Sequence, residues 1–172
     1  MDSIVNFLIE VKLGIIMDDL VLNLLFSNDE NNFKVTELFF SFLDFKQISV
    51  HVTPKLYKKI LSKIPNTWEG QELKEYLRGH IINGKGLIGE GEESDREQML
   101  SLAKSLVSVN DKVIIISDKY KKDEDLNSSI GERARIIRID EFNNALPEVK
   151  HFWEYWAIKK LHIYMNYIPH II

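Results

Sequence analysis

The fold of this chain is decided by one stretch, KVIIISDK at residues 112–119. Its apolar centre runs from Val113 to Ile116 without polar alternation, which predicts a strand buried on both faces of a parallel sheet. The run stops abruptly at Ser117 and Asp118. Because ligand and metal sites of open α/β sheets lie at the carboxyl ends of the strands, a carboxylate is expected at the functional edge.

A second stretch, LGIIMDD at residues 13–19, has the same form of an apolar strand that ends in acid. Two further strands are predicted, at residues 47–52, where apolar and polar residues alternate, and at residues 134–139. Helical patterns fill the intervals between these strands. Single strands that alternate with helices predict an α/β fold with three layers, α/β/α, around a central and mainly parallel sheet.

Two predicted helices have clear start signals. Thr53 can cap free amide groups, with Pro54 at the first helical position. Ser94 and Glu97 form a capping-box pattern. Residues 2–12 fit either a short helix or a strand that continues into the next. The other predicted helices cover residues 20–26, 35–45, 68–82 and 126–130, and the segments 27–32 and 83–91 are predicted to be loops.

The carboxy-terminal part of the chain is predicted to be a separate helical extension. Pro147 ends the α/β domain of residues 1–147, and Asp140 caps a brief helix just before it. The remainder, residues 148–172, contains a helix rich in aromatic residues, at a spacing that favours packing on the same domain or on a dimer partner over base stacking. These residues are Phe152, Trp153, Tyr155, Trp156, Tyr164 and Tyr167.

The composition bounds the function. The 22 basic and 26 acidic side chains give a net charge of −4, so a general attraction to nucleic acid is not indicated and any such contact must be local. The absence of cysteine excludes disulfides, zinc–thiolate sites and thiol catalysis, and it fits a cytoplasmic protein. No apolar run approaches the roughly 18 residues of a membrane span.

Three acids follow or flank the predicted strands in an order that could bring them to one edge of the sheet: Asp18, Asp95 and Asp118. Two carboxylates about 4 Å apart repel by roughly 4 kcal/mol at an effective dielectric constant of 20, so such a cluster needs a cation or raised pKa values. Oxygen ligands alone favour Mg²⁺ or Mn²⁺. The alternative is that each acid has a local role, as a helix cap or as a solvated side chain.

In these stretches the sequence resembles the PIN-domain family, whose members are typically metal-dependent ribonucleases, including the toxins of toxin–antitoxin pairs. The resemblance extends over most of residues 13–146. It is carried by IIMDDL, VTPKLYKKI, SDREQMLSLA, VIIISDK and ARIIRIDEFNNAL, and the order of these motifs is more specific than any one of them.

The resemblance implies an endoribonuclease that cleaves RNA with Mg²⁺ or Mn²⁺. It makes Asp18 the first acid of the metal site, Asp95 the third and Asp118 the fourth, with Ser117 as the polar residue that precedes the last acid and assists catalysis. The implied partners are RNA and an antitoxin-type protein.

The resemblance departs from the family pattern at the second acid. Lys59 stands where such nucleases usually have a glutamate, and a lysine there can neutralise part of the acidic cluster instead of binding metal. Asp19 occupies a position that is commonly a small hydroxylated residue, and it is the candidate to supply the missing carboxylate. A catalytically degenerate domain that binds RNA or a protein is therefore the alternative function.

Lysines near the predicted carboxyl edge are candidates for local contacts with a phosphate backbone: Lys55, Lys59 and Lys119. Lysines at these spacings are equally common on a solvated helix face. A receiver-like signalling domain is a third hypothesis. It is ranked last because the intervening strand ends in Val52 and Thr53, without a phosphoacceptor aspartate.

Overall fold

The computed structural model describes residues 3–10, 12–26, 29–91, 93–151 and 154. Within these residues one sheet is formed, with the spatial order β3-β2-β1-β4-β5 and with every neighbouring pair parallel. Its strands are β1 (Leu13–Met17), β2 (Val50–Val52), β3 (Ile81–Asn83), β4 (Lys112–Ile116) and β5 (Ala134–Ile137). The predicted parallel sheet is confirmed.

Helices connect each strand to the next, as parallel pairing requires. The described helices are α1 (Ile4–Leu8), α2 (Leu20–Phe26), α3 (Glu30–Lys46), α4 (Pro54–Lys63), α5 (Trp68–His80), α6 (Lys85–Ile88), α7 (Asp95–Val107), α8 (Glu124–Ser129) and α9, which is described from residue 139 to residue 151.

The two faces of the sheet are covered by different helices, which gives the predicted three layers. Ile15 of β1 belongs to a core with residues of α1 to α5 and α9. Ile16, its neighbour, belongs to a second core with residues of α7 and α8. All of β1 is buried and only Lys112 of β4 is partly exposed, which explains why both strands read as continuous apolar runs.

Strand β3 was not expected from the sequence. Ile81 and Ile82 continue the apolar pattern of the preceding helix, which predicts α5 as far as residue 82; the structure ends α5 at His80. The next three residues pair with β2, where Ile81 lies opposite Val50 and Asn83 lies opposite Val52. This pairing joins residues about thirty positions apart, so the local pattern contains no signal for it.

The boundary between α3 and β2 also differs from the prediction. Helix α3 begins after Asp29, whose side chain accepts a hydrogen bond from the amide of Asn31, so part of the predicted polar loop is helical. It ends at Lys46, and its capping residue Gln47 has a left-handed backbone with φ of 55°. The predicted strand at 47–52 is therefore shortened to Val50–Val52, because its first residue closes a helix.

Other boundaries differ by less. Residues 4–8 resolve the open alternative at the amino terminus in favour of a helix, and α6 lies inside the predicted loop 83–91. Helix α9 begins at residue 139 and passes through Pro147, so the proline does not end a helix there. The aromatic residues from Phe152 onward, and with them most of the predicted extension of residues 148–172, lie outside the described residues.

Phe142 of α9 makes edge-to-face ring contacts with Phe39 and Phe42 of α3. An aromatic cluster therefore holds the start of the carboxy-terminal helix to the domain. None of the helices within the described ranges combines the length and the apolar character that crossing a bilayer requires.

Candidate active site

The candidate site lies at the carboxyl edge of the sheet, where β1, β2 and β4 end. From β1 the chain continues outward to β2 and β3 on one side, and it later returns to β4 and β5 on the other side. The strand order thus reverses between β1 and β4. Open parallel sheets bind ligands at such a switch point, because the connecting loops leave in opposite directions and open a crevice.

Asp18, the residue after β1, is buried at this edge and exposes 1% of its surface. Its Oδ2 accepts a hydrogen bond of 2.6 Å from the hydroxyl of Ser117, the residue after β4. Its Oδ1 accepts a bond of 3.0 Å from the amide of Leu20, the first residue of α2. The two residues predicted from the strand ends are therefore in direct contact.

The electrostatic environment of Asp18 opposes its ionisation. Burial raises the pKa of Asp18 above its ordinary value, and the hydrogen bonds from Ser117 and Leu20 offset this only in part. The charge of Asp19 raises the pKa further, and that of Lys119 lowers it. A buried carboxylate of this kind gains from a nearby cation, because the cation compensates the lost hydration of the charged form.

Asp95, in the first turn of α7, has a hydroxyl donor on each of its carboxylate oxygens. Thr53, the residue after β2, donates to Oδ1 over 2.8 Å. Tyr120 donates its phenol proton to Oδ2 over 3.0 Å. The predicted capping box between Ser94 and Glu97 is present and fixes the start of α7 just before Asp95.

Tyr120 has hydrogen bonds near both acids. It was not predicted as a site residue from the sequence. Its backbone amide donates a hydrogen bond of 2.9 Å to the hydroxyl of Ser117, and that hydroxyl donates to Asp18. Its phenol donates to Asp95. Burial raises the pKa of Tyr120 well above the ordinary value, and the nearby carboxylates of Asp95, Asp18 and Asp19 raise it further. The only sequence signal was its position in the turn after Ser117.

Gln98 is a second residue near the candidate site that was not predicted from the sequence. This buried side chain accepts a bond of 3.3 Å from the amide of Lys55 and donates one of 3.2 Å to the carbonyl of Gly91. It thus ties the start of α4 and the loop before α7 to the same helix that carries Asp95. In that loop, Glu90 lies 4.0 Å from Lys58, an exposed ion pair.

The remaining predicted acids are exposed. Asp118 accepts a bond of 3.1 Å from the amide of Ile139, at the start of α9, and the predicted cap Asp140 accepts one of 2.8 Å from the amide of Glu141. Asp19 lies in the turn before α2, and its carbonyl accepts from the amide of Leu22. Both stand next to the buried pair along the chain.

The predicted lysines occupy different places around this edge. Lys55 is exposed in the first turn of α4, and Lys59 is exposed one turn farther along that helix. Lys119 is also exposed, and its ammonium lies 4.9 Å from the ring centroid of Tyr120. Among the three predicted lysines, Lys119 is the one whose charge lowers the pKa of Asp18.

The carboxylate oxygens of Asp18 and Asp95 suit Mg²⁺ by their chemistry. Mg²⁺ typically binds one or two carboxylates and completes its coordination with waters and substrate phosphates. A carboxylate oxygen has two acceptor positions, and each oxygen of Asp18 and Asp95 uses one of them in the bonds described above. In the part of the chain that the structure describes, no group of three or more His, Cys, Asp or Glu residues is arranged to hold a metal.

Comparisons with protein-family models, with curated proteins and with solved structures find no match to this chain.

Proposed function

We propose that this chain is a PIN-like endoribonuclease that hydrolyses RNA phosphodiester bonds with Mg²⁺ or Mn²⁺. The supporting observation is that Tyr120 contacts the surroundings of two acids: its backbone amide donates to Ser117, which donates to Asp18, and its phenol, at the other end of the residue, donates to Asp95. The two acids come from distant parts of the chain, and both belong to the carboxyl edge of a parallel sheet, where such sheets bind ligands. Their order along the chain is also the order of the motifs that resemble the PIN family.

In the proposal Asp18 and Asp95 hold the metal, and Asp118, the residue after Ser117, is the third acid of the predicted set. When bound, such a metal polarises the phosphodiester and lowers the pKa of an attacking water. Ser117 orients the carboxylate of Asp18 by donating to one of its oxygens. Lys119, exposed at the same edge, attracts the phosphate backbone.

The proposed partners and location follow from this activity. RNA is the substrate, an antitoxin-type protein is the expected inhibitor, and the cytoplasm is the expected compartment. A homodimer through the carboxy-terminal extension also stays a prediction.

A combined binding and cleavage experiment tests the proposal. Thermal unfolding of the purified chain is measured with EDTA and with Mn²⁺. A metal that binds only the folded state at 100 times its dissociation constant raises the melting temperature by roughly 5–11 °C. The same preparation is incubated with single-stranded and structured RNAs, and metal-dependent cleavage is expected.

Matched variants assign the activity to the carboxyl edge. Asp95→Asn retains the shape of the side chain but removes its charge, so both the thermal shift and cleavage are expected to be lost. Asp111→Asn is the control, because Asp111 is an exposed acid just before β4, at the opposite edge of the sheet. Absence of a metal effect and of cleavage in the wild-type protein contradicts the proposal.

A second candidate function is a PIN-like module that binds RNA or a protein without chemistry. It is favoured by the use of the Asp118 carboxylate as a helix cap. Lys59 in place of an acid points the same way. This function predicts RNA binding that is unchanged by EDTA, with no cleavage.

A further inference from the structure

We infer that Tyr120 and Thr53 are positioning residues that hold the carboxylate of Asp95 in place for the metal. This inference rests on the proposed function. It assigns to two hydroxyl groups a task that neither the motifs nor the strand-end pattern indicated.

Tyr120 is anchored at both ends. Its ring exposes 6% of its surface and packs in the core between the sheet, α7 and α8. Its amide is bonded to the hydroxyl of Ser117. The ring therefore has little freedom to turn away, and the direction of its phenol group is set by the core and not by Asp95 alone.

The direction of each hydrogen bond is also defined. The hydroxyl of Thr53 accepts a bond of 3.3 Å from the amide of Leu56, so its own proton is available for Asp95. The hydroxyl of Ser117 likewise accepts from an amide and donates to Asp18. In both cases a backbone amide orients a hydroxyl, and the hydroxyl orients a carboxylate.

The phenol of Tyr120 is the donor in its bond to Asp95. An ionised carboxylate is an acceptor only, so the bond can run in one direction. Asp95 is thereby held from both sides, by Thr53 of the β2–α4 junction and by Tyr120 of the loop after β4.

This arrangement would matter most for metal affinity. Partners that orient a ligand reduce the entropy lost when the ion binds, and their removal typically weakens metal binding or activity by about 10-fold to 100-fold. A purely structural hydroxyl has no such effect once the protein is folded. The metal dissociation constant therefore distinguishes the two roles.

The test measures Mn²⁺ affinity by calorimetry at a temperature where each variant is folded, with stability recorded separately in EDTA. Tyr120→Phe retains the ring in the core and removes the donor. Tyr57→Phe is the matched control, because Tyr57 is a partly buried tyrosine of α4 that packs against the core on the other face of the sheet. Thr53→Val removes the second donor, and Thr53→Ser restores a hydroxyl at the same place.

We expect Tyr120→Phe and Thr53→Val each to raise the dissociation constant by about 10-fold to 100-fold. Tyr57→Phe and Thr53→Ser should bind Mn²⁺ like the wild-type protein. If the wild-type protein binds Mn²⁺ and the two donor variants bind it equally well, the positioning inference is wrong while the proposed function stands. If the wild-type protein binds no Mn²⁺, both fail, and that result is obtained before any variant is measured.

Discussion

The hydroxyl of Ser117 lies 2.6 Å from Oδ2 of Asp18, although 99 positions separate the two residues in the chain. The contact is possible because β1 and β4 are adjacent and in register, with Met17 opposite Ile116. Each strand is followed at once by its polar residue. Two short motifs that are distant in the sequence thus form one buried polar contact at the edge of the parallel sheet.

Asp18→Asn should stabilise the metal-free protein at neutral pH. The raised pKa of Asp18 means that the folded protein binds its proton more tightly than the unfolded chain, so stability falls as pH rises from the ordinary pKa near 3.8 to the raised one. Above that range the cost of a buried charge persists, and asparagine removes it. We expect a gain on the order of 1 kcal/mol at pH 7.5 in EDTA, measured by urea unfolding.

The same comparison at low pH provides the control. Well below the ordinary pKa of 3.8 the carboxyl of Asp18 is protonated in both states, so the advantage of asparagine should disappear. A variant that is less stable than the wild type by the same amount at both pH values would show that burial does not oppose the charge of Asp18.

Two variants of Asp118 should separate its effect on stability from its effect on activity. Asp118→Asn retains an oxygen that can accept from the amide of Ile139, so its stability should be close to that of the wild type. Asp118→Ala loses this cap and should be less stable by about 1 kcal/mol. If the carboxylate serves the proposed chemistry, RNA cleavage is lost in both variants. Cleavage by Asp118→Asn at the wild-type rate would make Asp118 a helix cap only.

The ion pair between Arg96 and Asp123 should stabilise the protein in a pH-dependent way. Two hydrogen bonds, of 2.6 and 3.0 Å, join the guanidinium to the carboxylate that caps α8. The guanidinium of Arg96, and then the amide of Leu126, lower the pKa of Asp123 to about 2. The stabilisation is therefore fully present above the ordinary pKa of 3.8 and is lost as pH falls toward 2.

Asp123→Asn tests this pair by urea unfolding between pH 7 and pH 2.5. Its midpoint should be lower than that of the wild type at pH 7, and the difference should shrink as the pH approaches 2. Glu124→Gln, the neighbouring exposed acid in the first turn of α8, is the control and should follow the wild type. A difference that is constant across the pH range would contradict the assignment.

Two glycines of α5 should respond to alanine in opposite directions. A Cβ on Gly70 would lie 1.8 Å from the carbonyl oxygen of Pro65, so Gly70→Ala must displace backbone and should cost about 1–3 kcal/mol. Gly79 has no neighbouring atom within 4 Å of such a Cβ. Gly79→Ala should therefore stabilise the helix by roughly 0.5–1 kcal/mol. Thermal unfolding of both variants checks the pair, and equal changes would contradict it.

Much of the architecture could be predicted from the sequence because it depends on local patterns. The apolar runs of β1 and β4, the cap at Thr53 and the capping box at Ser94 each depend on residues a few positions apart. Such signals act within one turn or one strand, where propensity and burial agree. These signals were sufficient to predict the three layers and the acids at the strand ends.

The candidate site could be predicted only in part. The strand ends indicated Asp18, Ser117 and Asp118, but not that Asp118 would cap α9. Tyr120 belongs to no sequence motif. Its role depends on the hydrogen bond from its phenol to Asp95, which lies 25 positions earlier in the chain. A contact of this kind has no local signature.

The sequence by itself determined that this is an α/β chain with acids after its buried strands, because hydrophobic periodicity and helix caps act over a few residues. Only the tertiary structure decided that β3 pairs with β2 and that Tyr120 and Thr53 hold Asp95. The physical reason is that these bonds depend on how distant strands align and which loops then meet, and the packing of the whole sheet settles both.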